Sequence, residues 1–211
     1  MPCHMDRFPG GGLFDKIART VCRAGVLPRK ELYEAWETAR RIRRRFRGGR
    51  VVDLACGHGL LAYIMILLDK TSPAALAVDT HIPGSASRLC RVLIEEWPWL
   101  EDRVEYRGAD LADVRVTSED LVVSAHACGS LTDRIIDKAV AARARVAVLP
   151  CCHDLKTCCD GGLSSWMVSD LAVDAVRAMG LASRGYDIYT AKIPNTITPK
   201  NRLLMGRPKM L

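Results

Sequence analysis

Aromatic side chains are scarce in this chain: Phe, Trp and Tyr make up 6% of its 211 residues. That is too few for the stacked-ring platform of a single-strand nucleic-acid binder. No apolar run approaches the ~18–20 residues that a membrane span needs, so no membrane association is expected. The opening residues, MPCHMDRFPGGG, lack the apolar stretch of a secretory signal. Without such a signal, and with an odd count of nine cysteines, a disulfide framework is not expected and a reducing, cytoplasmic setting is. The Cys-x-x-Cys knuckle of many structural zinc sites is missing as well. Acidic residues are the minority, 24 against 31 Lys and Arg, for a net charge of +7. A surplus of that size permits an anionic partner without requiring one.

What remains is ordinary globular composition, 49% hydrophobic and 26% charged, enough for one domain with a sizeable core. Residues 1–49 read as a flexible, glycine- and proline-rich arm over the first twelve residues, followed by a two-helix extension. The first helix spans Leu13 to Ala24 and stops at Gly25. The second starts near Pro28 and ends before Gly48 and Gly49, with Leu32, Trp36 and Ala39 on one face. From Arg50 to the C-terminus (residues 50–211) the pattern changes to strands alternating with helices. Strands are expected at 50–54, 74–79, 103–107, 121–125 and 145–149. Helices are expected after the first glycine-rich loop and at 85–96, 131–143 and 165–179. Two last strands, 185–193 and 202–206, have only a short connection between them and read as an antiparallel hairpin at one edge. Such alternation makes an α/β fold, a parallel sheet covered on both faces.

The segment Val51 to Ala62, VVDLACGHGLLA, carries the strongest local signal. A strand ends at Asp53 and Leu54, and Gly57 and Gly59 follow before a helix. Glycines there let the backbone turn and approach a ligand closely. Asp79 ends the next strand, where a carboxylate accepts hydrogen bonds from ribose hydroxyls. Gly57, Gly59 and Ala62 also satisfy a loose dinucleotide fingerprint. Asp53 argues against it, because a carboxylate at that place repels a pyrophosphate and suits the cationic methionine end of S-adenosylmethionine.

These residues resemble the class I S-adenosylmethionine-dependent methyltransferases. Their first motif reads acid-x-Gly-x-Gly-x-Gly. Here Asp53-Leu-Ala-Cys-Gly57-His-Gly59 has Ala55 at the first glycine, a conservative departure. The resemblance implies a Rossmann-like seven-stranded sheet with an antiparallel last strand, and S-adenosylmethionine as cofactor. It implies cofactor contacts from Asp53, Ala55, Cys56, Gly57 and Gly59, from Asp79 and Thr80, from Asp110 and Leu111, and from His126. Asp110, in GADL after the third strand, would meet the adenine amino group; its alternative reading is an ordinary helix cap.

The fourth strand delivers Ser124-Ala125-His126-Ala127-Cys128-Gly129 and then Asp133, and the fifth delivers Pro150-Cys151-Cys152-His153-Asp154. In open α/β sheets ligands lie beyond such carboxyl ends. His126 and His153 are candidate general bases, since imidazole titrates near neutrality. Asp133 is a candidate to orient a histidine or hold substrate. The alternative is that these side chains bond locally within the loops. The pair HACGSLTD and PCCHD resembles the tRNA 2′-O-methyltransferases with His-x-Cys-Gly and Cys-Cys-His motifs. It resembles more closely a methyltransferase domain that some eukaryotic proteins join to a glutathione-transferase-like C-terminal domain, and Ile197 to Arg202 looks like that second group. The RNA enzymes carry a further histidine where this chain has Asp154.

The resemblance implies a methyltransferase whose foremost acceptor is RNA, then a small molecule or protein. A cofactor-binding module without turnover is the non-enzymatic alternative, and a nicotinamide enzyme is disfavoured by Asp53. Arg40, Arg41, Arg43, Arg44, Arg45, Arg47 and Arg50 crowd the end of the second helix. They read either as phosphate contacts for RNA or as solvated charge favoured at a helix C-terminus. Cys151, Cys152, Cys158 and Cys159 lie within nine residues, yet adjacent cysteines rarely share one metal, so no metal ligands are assigned. Packing or pocket lining is the main reading, with a redox dithiol or a zinc site as alternatives. Cys22, Cys56 and Cys90 are expected to be buried as small apolar residues.

Overall fold

The computed structural model describes residues 5–210. Its elements follow the chain as α1 (Leu13–Ala24), α2 (Arg29–Arg45), β1 (Val51–Leu54), α3 (Leu60–Leu68), β2 (Ala75–Asp79), α4 (Ala86–Glu96) and β3 (Val104–Gly108). Then come β4 (Leu121–Ala125), α5 (Ser130–Ala141), β5 (Arg145–Leu149), α6 (Ser169–Ser183), β6 (Tyr186–Lys192) and β7 (Arg202–Pro208). The sheet order is β3-β2-β1-β4-β5-β7-β6, with β1 to β5 parallel and β7 antiparallel to both β5 and β6. This is the expected seven-stranded sheet with a reversed last strand. The sixth helix differs from expectation: Leu163–Ser165 is a separate 3-10 turn, and α6 starts at Ser169.

The central strands are apolar on both faces because helices cover both. Val51, Ala75, Ala77, Leu121, Val123, Ala147 and Leu149 face the layer made by α1 to α4. Val52, Leu54, Leu76, Val78, Val122, Val146 and Val148 face α5 and α6. The alternation is the period of two that a strand imposes.

Helix α3, LLAYIMILL, is buried from Leu60 to Leu67. A helix apolar all round needs cover on every side, and α2 supplies it by packing along α3 while α1 packs on α4. The two helices at 1–49 therefore share one core with the sheet. The arm also differs from its expected form over residues 5–12. Phe8 is buried, and Arg19 donates to the carbonyls of Phe8 and Gly10. The rest of the expected arm, residues 1–4, lies outside the described residues.

Most of the arginine run is engaged by partners within the chain, though only Arg43 is buried. Arg43 is 2% exposed. It lies 3.2 Å from Asp69 and donates to the Met65 carbonyl and the Ser72 hydroxyl at 3.1 and 2.8 Å. Burial lowers its pKa to about 10, against the opposing pull of Asp69. Arg40 and Arg41 pair with Glu37, Arg45 stacks on Tyr189 at 3.4 Å, and Arg50 forks onto Asp120 at 3.0 and 2.7 Å. Arg47 reaches the Leu68 carbonyl at 3.3 Å, while Arg44 is exposed. Arg145, at the start of β5, also donates to the carbonyls of Arg47 and Gly48. The end of the run, Arg43, Arg47 and Arg50, thus lies at the amino edge of the parallel strands, while Arg41 reaches the Lys192 carbonyl at the other edge at 2.7 Å.

Arg43→Ala removes the buried ionic partner of Asp69, which keeps its bonds from Gly48 and Thr71, and is expected to cost about 1.5–3 kcal/mol in urea unfolding. Arg44→Ala should stay within about 0.5 kcal/mol. Equal stability of the two variants would refute the buried role of Arg43.

Candidate active site

Strands β1 and β4 are neighbours, but the chain leaves β1 toward β2 on one side and β4 toward β5 on the other. Connections that diverge in this way open a crevice at the carboxyl ends. The loop after β1 fills its floor. Ala55, Gly57 and Gly59 adopt φ of 57°, 54° and 76°. A Cβ on Gly57 would meet no atom within 4 Å, whereas one on Gly59 would press within 3.2 Å of the Tyr106 ring. Gly57 therefore faces open space, and Gly59 is small because β3 lies behind it. Ala55, a residue with a Cβ, is held in a left-handed conformation, so its replacement of glycine costs backbone energy. Tyr106 donates its hydroxyl to the Gly57 carbonyl. Asp79 accepts from the Gly57 and His81 amides at 2.9 and 3.1 Å.

Two cavities border this loop. One is lined among others by Ala55, Asp79, Thr80, Asp110, Leu111 and Arg134. Asp110 caps the following 3-10 turn by accepting from the Ala112 amide at 2.8 Å, and it lies 3.5 Å from Arg134. The cap reading is thus observed, and the carboxylate still borders the cavity. The other cavity is lined among others by Asp53, Cys56, His58, Leu60, Glu31 and His126.

Asp53 is 1% exposed, and neither carboxylate oxygen has a hydrogen-bond partner among the described residues. Burial raises its pKa to about 8, the nearby Ala62 amide offsets this only in part, and Asp79 pushes it further up. An uncompensated buried acid facing a cavity fits a cationic ligand group. Open space over Gly57 and the acid at the end of β2 fit a nucleoside beside it. The residues present therefore suit S-adenosylmethionine. Burial likewise raises the Cys56 thiol, which makes a poor nucleophile of it.

His126 ends β4 with φ of 70°, and its amide donates to the Leu149 carbonyl at 3.1 Å. Its Nε2 lies 3.1 Å from Oε2 of Glu34, a carboxylate 1% exposed on α2. Burial alone would raise Glu34. The hydrogen bond from His126, the Thr198 hydroxyl and the charges of His126 and Lys30 outweigh it and hold the pKa below the ordinary value. Glu34 was not among the sequence candidates. Its one sequence signal is its helical phase with Thr38 and Ile42, both buried.

The remaining candidates lie elsewhere. Asp133 accepts a forked pair of bonds from Arg177 at 2.7 and 2.9 Å. His153, its side chain 1% exposed, pairs through Nε2 with Asp174 at 2.7 Å. Arg202 bonds Asp174 from β7, and Lys200 bonds Asp170. This network ties the loops after β4 and β5 to α6, and neither Asp133 nor His153 lines the two cavities beside the glycine loop. The cysteine segment also divides. Cys158 is buried and accepts from Arg177 at 3.5 Å, while Cys159 is exposed. Cys151 and Cys152 approach Cys128 instead. Cys22, Cys56 and Cys90 are half-buried rather than buried.

The sheet order and the glycine loop define a nucleotide-binding α/β fold of the methyltransferase type. Residues 30–158 match the family described as "Methyltransferase domain", and the chain belongs to that family. No curated protein matches it. Among solved structures, the tRNA methyltransferase TrmK of B. subtilis is similar at a TM-score of 0.56 and 15% identity, over 82% of this chain and 65% of that one. Magnesium protoporphyrin IX methyltransferase ChlM of Synechocystis PCC 6803, solved with bound SAH, is similar at a TM-score of 0.54 and 14% identity, over 96% and 91%. An O-methyltransferase family protein from Burkholderia thailandensis gives a TM-score of 0.51 and 15% identity over 99% of this chain, which spans 64% of that protein. The fold is that of class I methyltransferases, and S-adenosylmethionine is the cofactor the family indicates.

A cationic ligand group beside Asp53 favours its ionised form, so S-adenosylhomocysteine should bind more tightly as pH rises toward 8. The gain is about tenfold per pH unit at most, with proton release on binding at lower pH. Above pH 8 Asp53 is already charged in the free protein and adds no further gain. Asp53→Asn should flatten the profile; calorimetry in buffers of different ionisation enthalpy reads both. Gly57→Val should abolish binding, because its side chain would fill the space over the loop and a β-branched residue is strained at φ of 54°; circular dichroism reports whether the variant folds. Normal affinity in that variant would move the ligand away from this loop.

Proposed function

We propose that the chain transfers a methyl group from S-adenosylmethionine to a hydroxyl or amine, with RNA as the acceptor class. The observation that carries this reading is the Glu34–His126 pair beside the Asp53 cavity. When bound, the cofactor supplies an electrophilic methyl group on a sulfonium. Asp53 accepts the ammonium of its methionine end, Asp79 its ribose hydroxyls, and Asp110 its adenine amino group. Ala55, Cys56, Gly57, Gly59, Thr80 and Leu111 line its path. His126 takes the proton that the attacking hydroxyl or amine loses, and Glu34 holds the ring through Nε2 and stabilises its cation. Positioning of the two reactants supplies most of the remaining rate.

A neutral oxygen or nitrogen acceptor needs a base, and a thiolate does not; the dyad therefore favours the first two. RNA is supported by the net charge of +7 and by exposed Arg29 and Lys30 at the start of α2, next to cavity-lining Glu31. The arginine run supports it less than its sequence suggests, because most of its guanidinium groups are already engaged within the chain. Asp133 and His153 act as positioning residues for the loops that carry His126. No described helix is long and apolar enough to cross a membrane. Free thiols at the surface suit a reducing, cytoplasmic setting.

His126→Ala should lower kcat ~10²–10⁴-fold while S-adenosylhomocysteine affinity changes little. Glu34→Gln should lower kcat less and leave KM for the cofactor in place. A kcat unchanged in His126→Ala would remove proton transfer from its role. The acceptor class is read by incubating the protein with methyl-labelled cofactor and separated RNA, protein and metabolite fractions. Label in RNA alone is expected, and label confined to metabolites would overturn the RNA reading.

A further inference from the structure

Three thiols from two loops converge beside the candidate active site. Cys128 follows β4, and Cys151 and Cys152 follow β5. The Cys128 sulfur lies 3.4 Å from that of Cys151 and 3.4 Å from that of Cys152, and the last two are 3.6 Å apart. Among the described residues this is the group of Cys, His and acidic side chains whose ligand atoms all lie within 4.8 Å of one another. No carboxylate or lysine belongs to it.

We propose that Cys128, Cys151 and Cys152 form a tri-thiolate site for a zinc ion, with the fourth coordination position open to solvent. Zn–S bonds of ~2.3 Å in a tetrahedron put sulfurs about 3.8 Å apart. The observed triangle is a few tenths of an ångström tighter, a difference small side-chain rotations absorb. A zinc ion at that bond length sits above the plane of the three sulfurs, so the fourth position points away from them. Cys128 and Cys152 are exposed and Cys151 is half-buried, which leaves that side accessible. A disulfide would use two of the three sulfurs and discard the near-equal third contact.

The scaffold holds the triangle without help from the ion. The Gly129 amide donates to the Cys152 carbonyl at 3.2 Å, joining the two loops at the cluster itself. Arg177 donates to the Gly129 carbonyl at 3.0 Å and forks onto Asp133, fixing the start of α5. Asp154 caps the next turn by accepting from the Lys156 amide at 3.0 Å. Adjacent cysteines rarely share one metal, but the Cys151 and Cys152 sulfurs already stand 3.6 Å apart, so both can reach one ion here. Binding displaces a proton from each thiol to solvent as the thiolates form. Nothing in this site depends on the identity of the methyl acceptor.

The test is metal binding by the full chain under a phosphine reductant. Titration with Co²⁺ should give saturable near-ultraviolet thiolate charge-transfer bands and the visible bands of a tetrahedral ion, at one ion per chain. Zn²⁺ should then bleach them stoichiometrically. Cys128→Ser, Cys151→Ser and Cys152→Ser should each weaken Zn²⁺ binding by at least the ~10–100-fold that loss of a mere supporting contact costs. Cys159→Ser should leave affinity and spectrum unchanged. Circular dichroism and S-adenosylhomocysteine binding report whether each variant is folded. Absence of thiolate bands in the reduced wild-type chain would overturn the site. So would bands that survive all three serine variants, or bands lost with Cys159→Ser.

Discussion

The adjacency of β1 and β4 at the centre of the parallel sheet is the constraint on which the rest of this molecule depends. Asp53 on β1 stands in register with Val123 on β4, so the carboxyl ends of the two strands emerge together. The connections then part in opposite directions. The glycine loop, the Asp53 carboxylate and His126 owe their proximity to that divergence. Burial of both faces of the strands holds the arrangement, since a parallel sheet of apolar residues must be covered by helices on each side.

Cover has a consequence for the site. Helix α3 begins at the glycine loop and is apolar around its whole circumference, so α2 has to lie along it. Once α2 is there, its amino-terminal half reaches the carboxyl edge of the sheet and delivers Glu34 to His126. Its carboxyl-terminal half reaches the amino edge, where Arg43 pairs with Asp69 and Arg50, just past the helix, pairs with Asp120. One helix, placed by hydrophobic burial, thereby assigns opposite uses to its two ends.

The loops after β4 and β5 carry two kinds of histidine. His126 stands partly exposed at a cavity with a left-handed backbone, the sort of strain that surrounding structure must hold in place. His153 is buried in an ionic network with Asp174, Arg177 and Arg202. That network anchors both loops to α6. The same anchoring brings Cys151 and Cys152 against Cys128, so catalytic candidates and thiols are ordered by one set of charges.

Much of this was legible in the chain alone. Strand and helix order followed from the switch between periods of two and 3.6, and Asp53, Gly57, Gly59 and Asp79 marked, through local turn chemistry, the loop that the structure sets beside two cavities. Such signals are visible because they depend on neighbours in sequence. Glu34 was not legible, because a buried glutamate on a helix gains its meaning only from His126, which lies on another strand. The arginine run looked like surface because its partners Asp69 and Asp120 are distant in sequence. Of the two readings of Asp110 the cap is observed, and its carboxylate also borders a cavity. The cysteines were misleading as a segment: four within nine residues suggested one cluster, whereas folding separates Cys158 and Cys159 and recruits Cys128. Local sequence determined the sheet, its order of elements and the glycine loop. Tertiary structure alone decided which charges are paired and which thiols meet, because those contacts join residues that only the packing of the sheet brings within reach.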